Sequence, residues 1–276
     1  MLMATLEARI REMLPFYRTC GYRLGSHAKA VAYTATLLFL KEWSKSVRMY
    51  NRRIWQLPLT GLLHDAGYAS PEYQSLLGES CIEGLEPSYE KAWLLGSLVL
   101  SMASCKIGVL PLRRALGDAA RVLALIGVRE PWIVDRYLSR INIDKIGYQV
   151  EVIAGYASFL IKHSPRELGI PLQLAEAFMY NVRSSRKLSR CAERTLGSRG
   201  YYDEPVYLLF KATRLADLIV SDLENKGFNP DKIDKRVIRE LSTHLPMNEP
   251  VSLIRYISMN IRRYYKALSH RSGAAC

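Results

Sequence analysis

The pair His64-Asp65, in the stretch LTGLLHDAGYASPEYQ, sets an imidazole beside a carboxylate where an apolar helical turn runs into a glycine. Neighbouring side chains on a helix diverge by about 100°, so one cation fits between them only where the helix ends nearby. Imidazole nitrogen with carboxylate oxygen suits Mn, Fe, Ni, Co or Zn, and Mg when water completes the shell. Without a cation the pair is a dipeptide at a helix C-terminus, where an Asp sits poorly against the negative end of the helix dipole. His27, one residue inside GSHAKAVAYTATLLFL behind a Ser26 cap, projects from a helix start, and alone it reads first as a capping or surface residue and only then as a ligand. Asp217, in LLFKATRLADLIVSDLE, is a carboxylate among aliphatic residues. Such a group is exposed, paired or metal-bound, because burying it bare is costly. Arg214 offers the pairing, and Asp222 reads as a solvent-facing acid near the helix end.

These residues need helices to hold them, and the chain supplies little else. Apolar residues recur at three- and four-residue steps through most of the sequence, while alternating runs are short, so the expected fold class is all-α. Candidate helices are 3–18, 26–47, 51–66, 88–104, 111–127, 131–139, 147–163, 171–184, 204–225, 230–243 and 249–268. Ser26, Ser88 and Asn248 are candidate N-caps. Pro71, Pro87, Pro165, Pro171, Pro205, Pro230 and Pro246 mark breaks. The polar, basic stretch 184–204 reads as a loop or hinge, and no linker separates two domains, so residues 1–276 are expected to form a single helical domain.

The chain has 276 residues, 49% of them hydrophobic, which is ample for a real core. Lys and Arg number 39 against 26 acids, a formal charge of +13. That excess favours a polyanion, nucleic acid first, although a solvated surface explains it as readily. Five cysteines (Cys20, Cys81, Cys105, Cys191, Cys276) are odd in number, scattered and without a CxxC pair, and read as ordinary intracellular thiols. No stretch reaches the length of a membrane span, and charges interrupt the amino-terminal apolar residues. The expectation is a soluble, cytoplasmic protein with no membrane partner.

A His opening one helix, a His-Asp pair closing another 37 residues on and a late Asp followed by aliphatics resemble the HD superfamily of metal-dependent phosphohydrolases. Within it, LLHDAGYASPEYQ, with Pro71, Tyr73 and Gln74, resembles the stand-alone HD nucleases of CRISPR type I interference, and LADLIVSD resembles their late Asp-containing segment. The likeness spans about residues 20–225, leaving 226–276 as a C-terminal helical extension. It implies an HD-domain helical bundle and a divalent metal (Mg, Mn, Ni, Co, Fe or Zn) held by His27, His64, Asp65 and Asp217. His64 and Asp65 are then also the catalytic residues. Such an ion lowers the pKa of bound water and offsets charge on phosphate. The implied reaction is cutting of single-stranded DNA or other nucleic acid, with a separate helicase subunit and an RNA-guided surveillance complex as partners. The lack of a GxxxxGK[ST] loop agrees with a helicase on another chain.

Two positions depart from that pattern. Tyr68 stands where the family carries Lys, and Tyr89-Glu90 where many members carry the His-Glu of a second metal site. His163 is either a helix C-terminal imidazole or a second-metal ligand. Lys29, Arg183, Arg186, Lys187 and Arg190 are candidate phosphate contacts, the last four equally a solvated loop. Tyr68, Tyr73 and Tyr89 are candidate base-stacking residues, or core. Alternative readings are an HD phosphohydrolase of nucleotides and a catalytically weakened structural subunit of a nucleic-acid complex.

Overall fold

The computed structural model describes residues 16–20, 23–47, 54–83, 91–127, 136, 143–178, 185–197 and 204–225. The expected helices 230–243 and 249–268, and most of 3–18 and 131–139, lie outside them. Among the described residues the fold is all-α; the only β feature is an isolated bridge between Tyr17 and Arg23. The helices are α1 (Leu24–Val47), α2 (Gln56–Leu63), α3 (Pro71–Glu83), α4 (Lys91–Ser104), α5 (Leu110–Gly127), α6 (Ile143–Lys162), α7 (Gln173–Glu176), α8 (Ser185–Leu196) and α9 (Glu204–Asn225). Short 3-10 turns at Ala66–Ala69 and Arg166–Leu168 follow α2 and α6. No described helix is long and apolar enough to cross a membrane.

Helix α4 is the axis of the bundle. From Leu94 to Ser104 every residue is buried, because α5, α6, α8 and the 3-10 turn after α2 pack around it. A helix covered on all sides excludes charge, and LLGSLVLSMAS carries none; its only polar side chains, Ser97, Ser101 and Ser104, are small and bond backbone carbonyls. Helix α5 has one covered face instead: Ala115, Leu116, Ala119, Ala120, Leu123 and Ala124 are buried, while Arg113 and Arg114 stay outside that set. A second apolar cluster joins α1, α2, α5 and α9 through Val31, Phe39, Leu57, Val122, Leu209 and Val220.

Several boundaries differ from the sequence expectation. Residues 16–18 form no helix; they belong to a short extended strap, tied to α1 by Leu24 N–H donating to Phe16 O. Helix α1 starts at Leu24, so Ser26 is not its cap, and His27 N–H already donates to Arg23 O as an intrahelical group. Pro71 opens α3 instead of ending an element, as a proline in a first helical turn can, since it has no N–H to leave unsatisfied. The stretch read as a loop contains α8, whose Ala192 and Leu196, four residues apart, are fully buried. Its many basic residues masked that stripe. Only Gln173–Glu176 of the expected 171–184 helix forms an α-helix among the residues described.

Four cysteines are paired. Cys20 bonds to Cys81 and Cys105 to Cys191, with Cα separations of 5.4 and 6.1 Å. This corrects the reading as free thiols. The partners are 61 and 86 residues apart, and tertiary packing brings them together where no local spacing signal exists.

Candidate metal centre

Three helices deliver four side chains to one point. His27 comes from the first turn of α1, His64 and Asp65 from the break after α2, and Asp217 from the middle of α9. All are buried, and one ligand atom from each lies within 4.8 Å of all the others. The break after α2 depends on glycines. At Gly61 a Cβ would come within 3.0 Å of Ala32 Cα, so its absence lets α2 cross α1 closely. At Gly67 a Cβ would meet the carbonyl oxygen of Ala92 at 1.7 Å, so only glycine lets the 3-10 turn lie on the α4 backbone. Helix α2 ends at Leu63, and the backbone leaves helical geometry at Asp65 (φ -105°, ψ 13°), the early end that lets adjacent His64 and Asp65 side chains face one point.

The two imidazoles have their tautomers set from behind. His64 Nδ1 lies 2.7 Å from Gly61 O, and His27 Nδ1 lies 2.8 Å from the carboxylate Oε1 of Glu224. A carbonyl and a carboxylate only accept, so each Nδ1 carries the hydrogen and each Nε2 of a neutral ring presents a lone pair inward. Those two Nε2 atoms are buried with no aligned hydrogen-bond partner. They face Asp65 Oδ2 at 3.6 Å (His27) and 3.2 Å (His64), and Asp217 Oδ1 at 3.3 and 3.7 Å. Bonds of about 2.1 Å to one metal ion put neighbouring ligand atoms roughly 3.0–3.5 Å apart. The cluster is close to that spacing without rearrangement, and its donor set fits a divalent transition metal.

Counter-charges surround the carboxylates. Arg18 Nε donates to Asp65 Oδ2 at 2.8 Å, and its terminal nitrogens reach Asp217 Oδ1 at 3.2 Å and Glu224 Oε2 at 3.4 Å. Trp93 Nε1 donates to Asp65 Oδ1 at 3.1 Å, Arg214 to Asp217 Oδ2, and Ser221 Oγ to Asp217 Oδ1 at 3.3 Å. Burial would raise both Asp pKa values, but His64 and Arg18 beside Asp65 hold it below the ordinary range. The polar contacts of His27 and His64, with Arg18, do the same for Asp217. Burial works to lower His64, yet the charge of Asp65 and contacts with both carboxylates outweigh it and hold the imidazole up at about 10. The Arg214 pairing considered from the sequence is thus present, and it takes the Asp217 oxygen for which no imidazole contact is found.

Arg18 and Glu224 are site residues the sequence reading passed over. Glu224 had a signal, since Asp217, Ser221 and Glu224 follow the i, i+4, i+7 spacing of one helix face. Arg18 had none. Of the candidate phosphate contacts, Lys29 lies two residues from His27 on α1, about 200° around the helix and so away from the cluster. Arg190 is exposed on α8, which packs on α4, α5 and α6. Arg186 and Lys187 belong to the same helix, with side chains outside the description, and Arg183 and Tyr89-Glu90 lie outside the described residues. His163 is exposed at the end of α6, its ring 4.4 Å from that of Phe159, and takes no part in the cluster. Tyr68, half-buried, packs edge-on against Tyr73 and Trp93, and Tyr73 is buried, so Tyr73 does not offer a free stacking face. Among the described residues no second group of three or more His, Cys, Asp or Glu converges in this way.

The fold and the site define an all-α protein with a buried cluster of two imidazoles and two carboxylates. No family model, curated protein or solved structure matches the chain.

Proposed function

We propose that this chain is a divalent-metal-dependent phosphodiesterase, and more narrowly a nuclease that cuts single-stranded DNA. The observation that carries the reading is the pair of buried, inward-facing Nε2 atoms of His27 and His64, their Nδ1 atoms held by Glu224 and Gly61 O, lying against Asp65 and Asp217. Two buried lone pairs facing two carboxylates repel one another unless a proton or cation lies between them. A divalent ion held there supplies an acidified water and a Lewis acid for phosphate. The chain's own part is to hold the site in place: Glu224 and Gly61 O orient the rings, and Trp93 and Arg214 occupy one oxygen of each Asp.

The narrower reading, an HD nuclease of CRISPR type I interference working with a separate helicase subunit and an RNA-guided surveillance complex, is supported by the likeness of LLHDAGYASPEYQ and LADLIVSD to that group and by the +13 charge. A cytoplasmic placement goes with it. Two disulfides are compatible with that in organisms whose cytosol carries disulfide-bonded proteins, as in hyperthermophiles.

The test is incubation of the purified chain and labelled single-stranded DNA with Mn2+, Ni2+ or Mg2+. The wild type degrades the strand, and His64→Ala and Asp65→Ala fall to background while keeping a cooperative unfolding transition. Hydrolysis of nucleotides but not of DNA would assign the site to a nucleotide phosphohydrolase. Nucleic-acid binding without turnover at any metal would make the chain a structural subunit.

A further inference from the structure

Two guanidiniums border the cluster, and they are more exposed than the acids and imidazoles around them. The side chains of Arg18 and Arg214 keep 18% and 27% of their surface, against at most 3% for His27, His64, Asp65, Asp217 and Glu224. A substrate arriving from solvent meets the arginines first. Their grips differ in one decisive respect. Arg214 holds Asp217 Oδ2, for which no imidazole contact is found, and can keep it whatever lies between the rings. Arg18 holds Asp65 Oδ2 and Asp217 Oδ1, the same two atoms that face the Nε2 pair.

A dication and the Arg18 guanidinium therefore claim the same oxygens. The backbone under Arg18 has little freedom to follow the side chain. Gln74 accepts from Tyr17 N–H at 3.1 Å and donates to Tyr17 O at 2.7 Å, the Tyr73 hydroxyl donates to Arg18 O, and Cys20 is bonded to Cys81 on α3. Only the side chain is free to change partners. Three carboxylates (Asp65, Asp217, Glu224) and two guanidiniums sum to −1, with neutral imidazoles as ligation requires. A dication takes the total to +1, which one phosphodiester anion neutralises. A planar guanidinium fork matches two oxygens of such a group.

We propose that Arg18 is the substrate-phosphate residue of this site: it competes with the cation for Asp65 and Asp217, and once displaced it grips the phosphate oxygens. The proposal rests on the metal-dependent reading above. Its test is calorimetric titration of Mn2+ into the full chain, then of inorganic phosphate into the Mn2+-loaded chain, for wild type, Arg18→Gln and Arg18→Lys. Removing a charge-assisted competitor should tighten Mn2+ binding in Arg18→Gln by roughly ten- to a hundredfold, and weaken phosphate binding by about tenfold or more. Arg18→Lys, which keeps the charge and the folded balance but lacks the fork, should also bind phosphate more weakly than wild type. It decides the matter if Arg18→Gln does not fold. Mn2+ and phosphate affinities unchanged in both variants would remove Arg18 from substrate binding and leave the metal reading intact. Wild type and both variants failing to take up Mn2+ would overturn both.

Discussion

At His27 and His64 the nitrogen that faces the carboxylates is chosen by the residue behind the ring. For His27 that residue is Glu224, whose carboxylate fixes the Nδ1–H and so the orientation of the ring. Glu224→Ala should weaken Mn2+ affinity by about 10–100-fold, and Glu224→Gln, which keeps an acceptor without the charge, should recover part of the loss. Equal affinities across wild type, Gln and Ala would mean the contact does not orient the ring. His64 makes a different prediction. Its folded value of about 10 lies above the ordinary 6.5, so in chelator-treated protein its contribution to stability is whole below about pH 6.5 and is lost as pH climbs towards 10. Asp65 and Asp217, held low, contribute above the ordinary 3.8 and lose that contribution only in strong acid. The thermal midpoint in chelator should therefore fall between pH 6.5 and 10, and His64→Gln should flatten the fall; a level wild-type profile would rule the assignment out. At this scale the convergence of His27, His64, Asp65 and Asp217 was readable, because residue types and order along the chain carry it. Arg18 was not, because its place depends on contacts with Gln74, Tyr73 and Cys81 that no periodicity encodes.

Among the elements, long amphipathic helices were the most legible. Helix α9 falls at 204–225 as expected, and α5 within one residue, since a single apolar stripe specifies both. The misses have physical causes. Pro71 reads from sequence as a stop, yet a first-turn proline is also a start. In α8 the charged majority hid a narrow buried stripe. The strap at residues 16–20 has no pattern of its own and is held by cross-links to α3 and the turn before it. Its fastening is testable. Cys20–Cys81 closes a long loop, so Cys20→Ser should lower unfolding stability by ~2–4 kcal/mol in an oxidised sample, and a dithiol reductant should lower the wild type by at least as much. Urea midpoints measured with and without reductant check this, and coincident midpoints would show that the bond contributes nothing to holding the strap down.

Taken as a whole molecule, the chain carries +13 over 276 residues, while its buried cluster is built from acids and imidazoles. The positive excess therefore lies outside the site, where it bears on how a polyanion arrives and not on the bond that is cut. That separates the nuclease reading from the nucleotide reading without any variant. A single strand contacting several phosphates releases counterions on binding, with a slope of about −0.7 per phosphate in log affinity against log salt. Contact with about five phosphates gives a slope near −3.5. A mononucleotide reaching only the cluster and Arg18 should show a slope no steeper than about −1. Measured as log(kcat/KM) across a salt series with Mn2+ fixed, a steep dependence for the strand and a shallow one for the nucleotide is the expected result. Equal shallow slopes would mean the basic surface takes no part in substrate capture, and would move the proposed assignment to a small phosphate ester.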